Sequence, residues 1–535
     1  MIQQQITDKA KELINNNRLQ EAENILLGLE DKYSIFELAK LRKIQGRTRE
    51  AEQLYLKSLS MTSEIKSNID SDINIELGRI YASFGKVKEA TARYERGMDR
   101  VSLEKNIYRE IGELYFSAAN STKDFVKEYS NLNEAKNNLE KASALFPNDI
   151  RTNLSLGIVY RRLGKDNFAE NIFNKLLSDK NLKLNKFLYN KVLNEYEILM
   201  KKKYLESKPR EMRVTITNKC NVGCRYCSVW KDSDWQISKE RIAEIMNLFP
   251  YLENMYWLGG ETFLYKGFEE ILEEGAKYDA LSQTILTNGL LLNERVLEKI
   301  AKANVSLLIA IDAGKKETYE YLRRGSSWEK LCSNLELIKE INHKSNRRIN
   351  TTFNAVISKS NYKEMLDMVE MAHNYDFNKI RFMPILGDSE ENIFLRKDIQ
   401  STKYIQDILP LLKQKADNYR LEFENTLPTK EVPYYKDINL NFVKNNNRDL
   451  INTDRKSIKC IAPWRTVVLD SKGPMRTCAF CNDWIGDATK QTINEFWNGD
   501  NMQFIRKRFG EMYSCSGGFD VNAGPNDISK KEMHC

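Results

Sequence analysis

Through the first 200 or so residues, apolar positions recur at a spacing of three to four, with short breaks at Gly or Asn. That spacing predicts nearly continuous amphipathic helix. From about Arg213 the rhythm changes to short apolar runs separated by amphipathic stretches. The runs predict strands over Arg213–Thr217, Asn254–Leu258, Gln283–Thr287, Val305–Ile311, Asn350–Ile357 and Lys379–Pro384, with helices such as Ser238–Leu248 and Glu294–Ala303 between them. Strand–helix alternation favours a parallel sheet, either open or closed as a barrel. Six such units fall short of an eight-fold barrel. Residues from about 390 to 455 are polar, with helical pieces and an Asn-rich loop at Asn445–Asn447, and the last stretch is loop-rich and carries cysteines.

The helical stretch repeats itself. Leu77-Gly78-Arg79-Ile80-Tyr81, Ile111-Gly112-Glu113-Leu114-Tyr115 and Leu156-Gly157-Ile158-Val159-Tyr160 share one apolar-Gly-x-x-Tyr pattern. Second-helix openings recur at Gly46–Ala51, Gly85–Ala90 and Gly164–Ala169. A small residue is needed where two helices approach closely, and Tyr fills the groove between them. Gly78 and Gly112 lie 34 residues apart, so the stretch resembles a tetratricopeptide array of four or five units. From Gly112 to Gly157 the spacing is 45, which places insertions around Ser117 to Ser130. Such a solenoid offers a concave surface, read either as a docking platform for a peptide or protein partner or as a rigid arm.

Composition bounds the rest. The 535 residues imply about three to four domains, and the formal charge is +8 from 83 Lys+Arg against 75 Asp+Glu. Spread among so many acids, that excess gives no reason to expect nucleic-acid binding. The longest apolar runs, such as Leu307–Ile311, are far below the roughly 18 residues of a membrane helix. The amino terminus shows no continuous apolar stretch of the secretory kind, so a cytoplasmic setting is expected, with its nine cysteines as thiols or metal ligands rather than disulfides.

Three of those cysteines form the sharpest signal, Cys220-Asn221-Val222-Gly223-Cys224-Arg225-Tyr226-Cys227, directly after the first expected strand. Iron–sulfur clusters take thiolate ligands, normally four, so three leave one iron open to chemistry. A structural zinc site would want a fourth Cys or His close by, and the three histidines, 343, 373 and 534, are far away in sequence. Gly259-Gly260-Glu261 follows the second strand; glycines allow close backbone approach and a carboxylate complements a cation. This set resembles the signature of the radical S-adenosylmethionine (SAM) enzymes. The resemblance implies a partial, six-unit (β/α) TIM-like barrel with a [4Fe–4S] cluster on Cys220, Cys224 and Cys227, and SAM at the open iron. It implies SAM contacts from Gly259, Gly260, Glu261, Asn288 after the third strand, Asp312 after the fourth, Asn361 and Met383 on the adenine side, and Tyr226 near adenine. Relatives commonly carry Ser two residues before the fourth-strand Asp, where this chain has Ala310; Arg323 or its neighbour Arg324 then becomes the expected partner of the SAM carboxylate. Asp312 also fits an ordinary helix cap.

Towards the end, Cys460-Ile461-Ala462-Pro463-Trp464 is followed by Gly473 and then by Cys478-Ala479-Phe480-Cys481. This spacing, with Ile485-Gly486-Asp487, Ile493–Gly499 and Arg506, resembles the SPASM or twitch extension behind many radical SAM cores. A hairpin from Val467 to Thr477, turning at Ser471–Gly473, would bring Cys460 and Cys478 together. With too few cysteines for two clusters, the resemblance implies one auxiliary [4Fe–4S] cluster on Cys460, Cys478, Cys481 and Cys515, with Cys535 as the alternative fourth ligand and zinc as the alternative metal. Cys332, in a helix after the fourth strand, reads as a small buried hydrophobe.

Four regions are therefore expected: a tetratricopeptide-like α-solenoid over 1–200, a radical SAM core over 211–395, a linker or helical insertion over 396–455, and a small Cys-rich α+β SPASM/twitch domain over 456–535. The resemblance implies an enzyme that cleaves SAM reductively to a 5′-deoxyadenosyl radical, which takes hydrogen from a substrate. That substrate is expected to be a peptide or protein; the alternatives are a small sugar-like or aminoglycoside-like alcohol, or a scaffold whose cluster domain is vestigial. An electron donor such as flavodoxin or ferredoxin is the other expected partner.

Overall fold

The computed structural model describes residues 2–16, 18–61, 69–98, 106–122, 124–232, 234–344, 348–428, 460–478 and 485–512. The chain divides into two compact units, one of residues 1–180 with 342–348, the other of the remainder.

The first unit is a series of helical hairpins: α1 (Ile2–Asn15), α2 (Leu19–Leu26), α3 (Lys32–Ile44), α4 (Thr48–Ser60), α5 (Ile69–Ser83), α6 (Val87–Met98), α7 (Ile107–Ser121), α8 (Phe125–Leu145), α9 (Ile150–Arg162) and α10 (Asp166–Leu177). The repeated glycines serve two purposes. Gly46, Gly85 and Gly164 end the first helices of their pairs with φ of +73°, +69° and +71°, a left-handed turn that side chains disfavour. Gly78, Gly112 and Gly157 lie where helices touch: a Cβ there would come within 2.9 Å of the Tyr94 ring, 2.6 Å of Leu139 and 2.6 Å of the Phe173 ring. The long spacing after Gly112 lengthens a helix rather than a loop. Asp124 caps α8, accepting hydrogen bonds from the backbone N–H of Val126 and Lys127, and α8 then runs for 21 residues.

The second unit is built on a ten-stranded sheet. Its strands are β1 (Glu211–Thr217), β3 (Asn254–Gly259), β4 (Ser282–Thr287), β5 (Val305–Ala310), β7 (Asn350–Ile357), β8 (Lys379–Pro384), β9 (Glu422–Asn425), β10 (Thr466–Leu469), β11 (Pro474–Arg476) and β12 (Gly486–Asp487), while β2 (Gly223–Cys224) and β6 (Arg323–Arg324) form a separate ribbon. The order is β12-β11-β10-β1-β3-β4-β5-β7-β8-β9. All six expected strands are present and parallel.

Two extensions go beyond the six-unit pattern. The polar stretch after 396, expected as a linker or helical insertion, supplies the helix Ile399–Asn418 and then β9, a seventh parallel unit beside β8. Phe423 anchors it on Phe382, ring centroids 5.8 Å apart. At the other edge, β10 pairs in parallel with β1, Glu211 opposite Thr466, so the C-terminal hairpin continues the barrel sheet. Its return strand β11 is antiparallel to β10, as the turn at Ser471–Gly473 predicts.

Strand alternation sorts the two faces of the sheet. Met212, Trp257, Ile285, Leu307, Phe353 and Phe382 are buried on the helix-covered side, where Trp257 meets Phe249 and Phe268 edge-on. The opposite, concave face carries Arg213, Tyr256, Thr284, Thr352, Asn354 and Arg381. It carries these polar side chains alongside Leu258, Leu286, Leu308 and Met383, and is mostly half-exposed. At its base, buried Arg210 bonds Glu195 at 2.6 Å and Glu253 at 2.7 Å, joining the helix Lys186–Leu199 to the sheet. No helix among the described residues is long and apolar enough to cross a membrane.

Candidate functional site

The cysteine loop leaves the C-terminal end of β1, and its course is fixed from three sides. From β3, the Gly259-Gly260-Glu261 turn grips its entry: Gly260 N–H donates to Thr217 O at 2.7 Å and Glu261 N–H to Lys219 O at 2.8 Å. Both glycines are required by that grip. A Cβ on Gly259 (φ +142°) would stand 2.3 Å from Thr217 O, and one on Gly260 would stand 2.3 Å from Lys219 O. The close approach anticipated for a ligand is thus made to the loop's own backbone. From β4, the Asn288 side chain donates to Asn221 Oδ1 at 2.8 Å. From the third side, β2 pairs antiparallel with β6, Cys224 opposite Arg323, and Arg225 N–H donates to Leu322 O at 2.9 Å.

Glu261 is fully buried. It accepts from Asn288 N–H at 2.7 Å, Thr287 Oγ1 at 2.8 Å and Phe263 N–H at 3.3 Å. Burial raises its carboxyl above the ordinary range, against the hydrogen bonds and the Arg323 charge. Asp312, also fully buried, is a junction: its Oδ2 meets the Arg323 guanidinium at 2.6 Å and the Tyr226 hydroxyl, and its Oδ1 accepts from Val356 N–H at 2.7 Å. The helix-cap alternative is therefore not what this carboxylate does. Arg324 faces outward and is exposed, so of the two arginines only Arg323 reaches the interior.

Asn361 is buried with its hydrogen bonds made inside the chain, to Asp312 O at 2.6 Å, Val356 O at 2.8 Å and from Ser358 N–H at 2.7 Å. Met383 sits half-exposed on the concave side of β8. One polar residue here belongs to no motif: Asn354, opposite Ala310 in the β5–β7 register, with a buried Oδ1 that has no hydrogen-bond partner. Its only signal in the sequence is an amide inside the apolar run Phe353-Asn354-Ala355-Val356. Asn218 Oδ1 and Arg323 Nε are buried without hydrogen-bond partners as well.

Replacing Asp312 by Asn leaves the Arg323 guanidinium buried without its counter-charge. The expected cost is about 3–5 kcal/mol, read as a lowered thermal midpoint, with partial recovery in the Asp312→Asn/Arg323→Met double variant. A loss below about 1 kcal/mol, the scale of an exposed pair, contradicts this junction.

The donor set suits an iron–sulfur cluster. Cys224 is buried and Cys220 and Cys227 are half-buried. Burial pushes the Cys224 thiol up to about 11 and raises Cys220, opposed by the Arg323 charge. Thiols that resist ionisation alone become thiolates when a bound metal supplies positive charge. Among the described residues no three His, Cys, Asp or Glu side chains close in as they would around one metal ion; a four-iron cube spreads its thiolates over separate corners. The unpaired polar atoms of Asn218, Arg323 and Asn354 suit a polar ligand beside it.

In the tail, Cys460 and Cys478 flank the β10–β11 hairpin. Burial raises the Cys460 thiol, and the nearby Cys478 adds to the effect, so the hairpin brings these two together as expected. Cys481, Cys515 and Cys535 lie outside the described residues.

Residues 214–372 match the Radical SAM superfamily, and residues 460–517 match SPASM, an iron–sulfur cluster-binding domain. The chain carries a radical SAM domain and a SPASM domain. A radical SAM domain is one that binds a [4Fe–4S] cluster and SAM, and a SPASM domain one that binds auxiliary iron–sulfur. It is 28% identical over 242 residues to molybdenum cofactor biosynthesis protein 1 of Dictyostelium discoideum, covering 42% of this chain and 36% of that protein. It is 28% identical over 284 residues to the GTP 3′,8-cyclase of Peptoclostridium acidaminophilum, covering 50% and 83%. Among solved structures it is similar to SuiB of Streptococcus suis bound to SAM, at 17% identity and a TM-score of 0.45, covering 72% and 92%. The chain spans about a third to a half of the length of the first curated relatives it matches.

Proposed function

We propose that this chain cleaves SAM reductively at a cluster held by Cys220, Cys224 and Cys227, and uses the product to modify a peptide or protein. The chemistry such a cluster supplies when bound is one-electron reduction of the SAM sulfonium, giving methionine and a 5′-deoxyadenosyl radical that takes hydrogen from the substrate. Cys220, Cys224 and Cys227 would hold that cluster with three thiolates, one fewer than the usual four. The observation that carries this reading is the clamped cysteine loop, where Gly260 and Glu261 hold its entry and Asn288 and β6 hold its turn.

The residues around it divide the work. Glu261 and Asn288 position the loop and border the methionine end. The Asp312–Arg323–Tyr226 junction fixes the opposite wall, where Arg323 would supply the charge for the SAM carboxylate. Asn354 and Asn218 offer unspent oxygens to donors on the cofactor, Met383 lines the adenine side, and Asn361 shapes the strand end beside it. In the tail, Cys460 and Cys478 would hold the auxiliary cluster together with Cys481 and either Cys515 or Cys535, which lie outside the described residues. An external one-electron donor completes the reaction.

Tetratricopeptide-like hairpins support a polypeptide substrate, since such surfaces bind extended chains. A second reading, a small-molecule substrate, is favoured by the similarity to enzymes named GTP 3′,8-cyclase and by the polar side chains Thr284, Thr352, Asn354 and Arg381 on the concave face. Anaerobically reconstituted protein with dithionite should release 5′-deoxyadenosine from SAM; a fully loaded protein that releases none refutes the proposal. Removing residues 1–180 separates the substrate readings. Loss of product with SAM cleavage retained indicates a polypeptide, and unchanged product formation indicates a small molecule.

A further inference from the structure

We infer that the outer face of the cysteine loop is the docking site for an acidic protein that delivers single electrons. This rests on the proposed SAM cleavage, which requires such a supply. The β2–β6 ribbon sorts its side chains by alternation. Cys224 and Arg323, opposite each other, are buried, whereas Arg225 and Arg324 stand exposed on the other face. Trp230 lies on that outer face too: a Cβ on Gly223, the partner of Arg324, would touch its ring at 3.6 Å, and its indole N–H donates to Cys224 O at 3.3 Å. The exposed Lys231 ammonium sits 5.9 Å from the Trp230 ring.

Arg225 and Lys231 are each seated against an aromatic ring. The Arg225 guanidinium stacks 3.8 Å from the Tyr321 ring centroid and donates from Nε to Tyr321 O at 2.9 Å, and the residue as a whole is exposed. Tyr321 is 46% exposed. Among the described residues, no carboxylate forms an ion pair with Arg225, Lys231 or Arg324, whereas nearby Lys315 and Lys316 pair with Asp367 and Glu329. Three cations outside any ion pair among the described residues, beside two aromatic rings, make a surface complementary to a ring of carboxylates, with Asp232 and Asp234 the acids nearest to Lys231 in sequence. One strand's thickness beneath it is Cys224. An electron delivered to this face has the short side of the loop to cross. One electron leaves the donor's reduced flavin and enters the cluster, and no proton or bond moves with it.

The test compares two reductants for SAM cleavage, measured as 5′-deoxyadenosine. One is dithionite, too small to need a docking face; the other is flavodoxin kept reduced by its reductase and NADPH. In the Lys231→Glu/Arg324→Glu variant, flavodoxin-supported cleavage at sub-saturating donor should fall about tenfold or more, since opposed charge removes electrostatic steering. Dithionite-supported cleavage should stay within about twofold, which also reports intact folding. In the unaltered protein, raising the ionic strength should slow only the flavodoxin-supported reaction. Equal flavodoxin-supported rates in variant and unaltered protein, with dithionite-supported cleavage intact, overturn the inference. Loss of single-stranded RNA binding in place of donor-supported turnover overturns it in favour of a nucleic acid. Silence of the unaltered protein with both reductants overturns the cleavage reaction itself.

Discussion

With Cys220, Cys224 and Cys227 all changed to Ala, the protein is expected to release no 5′-deoxyadenosine and to bind about four irons where the unaltered chain binds about eight, one four-iron cluster in place of two. Among the described residues no other thiol belongs to this loop. Cys332 lies in the helix Trp328–Lys344, and Cys460 and Cys478 belong to the tail hairpin. The fold should survive, because the loop keeps its backbone clamps to Gly260, Glu261 and Leu322 and only Cys224 is buried among the three. Iron analysis and low-temperature paramagnetic resonance with added SAM read the cluster directly, independent of any substrate. Full SAM cleavage by this variant would exclude the loop as the reaction centre.

Gly260→Ala should nearly match that loss while leaving every cysteine in place. The added methyl group would lie 2.3 Å from Lys219 O and 2.6 Å from Asn218 O, both backbone atoms, so neither can swing aside as a side chain would. Relief requires the Thr217–Lys219 segment to shift, and with it the entry to Cys220. Overpacking of this kind costs about 1–3 kcal/mol, modest for the whole fold but concentrated where three sulfurs must share one cluster. The expected result is a nearly unchanged thermal midpoint for the barrel, about four irons lost and SAM cleavage abolished. Gly223→Ala is the matched control, since its Cβ meets only the Trp230 ring at an ordinary 3.6 Å. Normal iron content in Gly260→Ala would show that the turn does not hold the loop.

Residue pattern alone was enough for all six core strands, because Val305–Ala310 or Asn350–Ile357 read as apolar runs of the right length between amphipathic helices. The repeat glycines were equally legible, since a helical hairpin has few ways to bring Gly157 against Phe173. What escaped is instructive. The helix Ile399–Asn418 contains Pro410 and a polar surface, and β9 reads Glu-Phe-Glu-Asn, with only Phe423 apolar, so the seventh unit carries little hydrophobic signal. β6 is two arginines long and exists because β2 pairs with it. Asn354 is a single amide whose importance comes from an unspent oxygen, which no spacing encodes. In the site, motif positions gave the residues but not their duties: Gly259 and Gly260 accommodate the loop backbone, and Asn361 spends its amide on Asp312 and Val356.

The pairing of β10 with β1 has a consequence for distance. β1 runs seven residues, about 20 Å, from Glu211 to the threshold of Cys220. Thr466, which opens β10, sits beside Glu211, and the returning β11 brings Cys478 back towards that same end, near Cys460. The two sets of thiols therefore cap opposite ends of one strand pair, and hydrogen bonds rather than a hinge set the gap. A charge passed between them has to span the height of the barrel. Clipping the chain ahead of Cys460 would remove one terminus of that route and bare the flank of β1 to unwanted pairing.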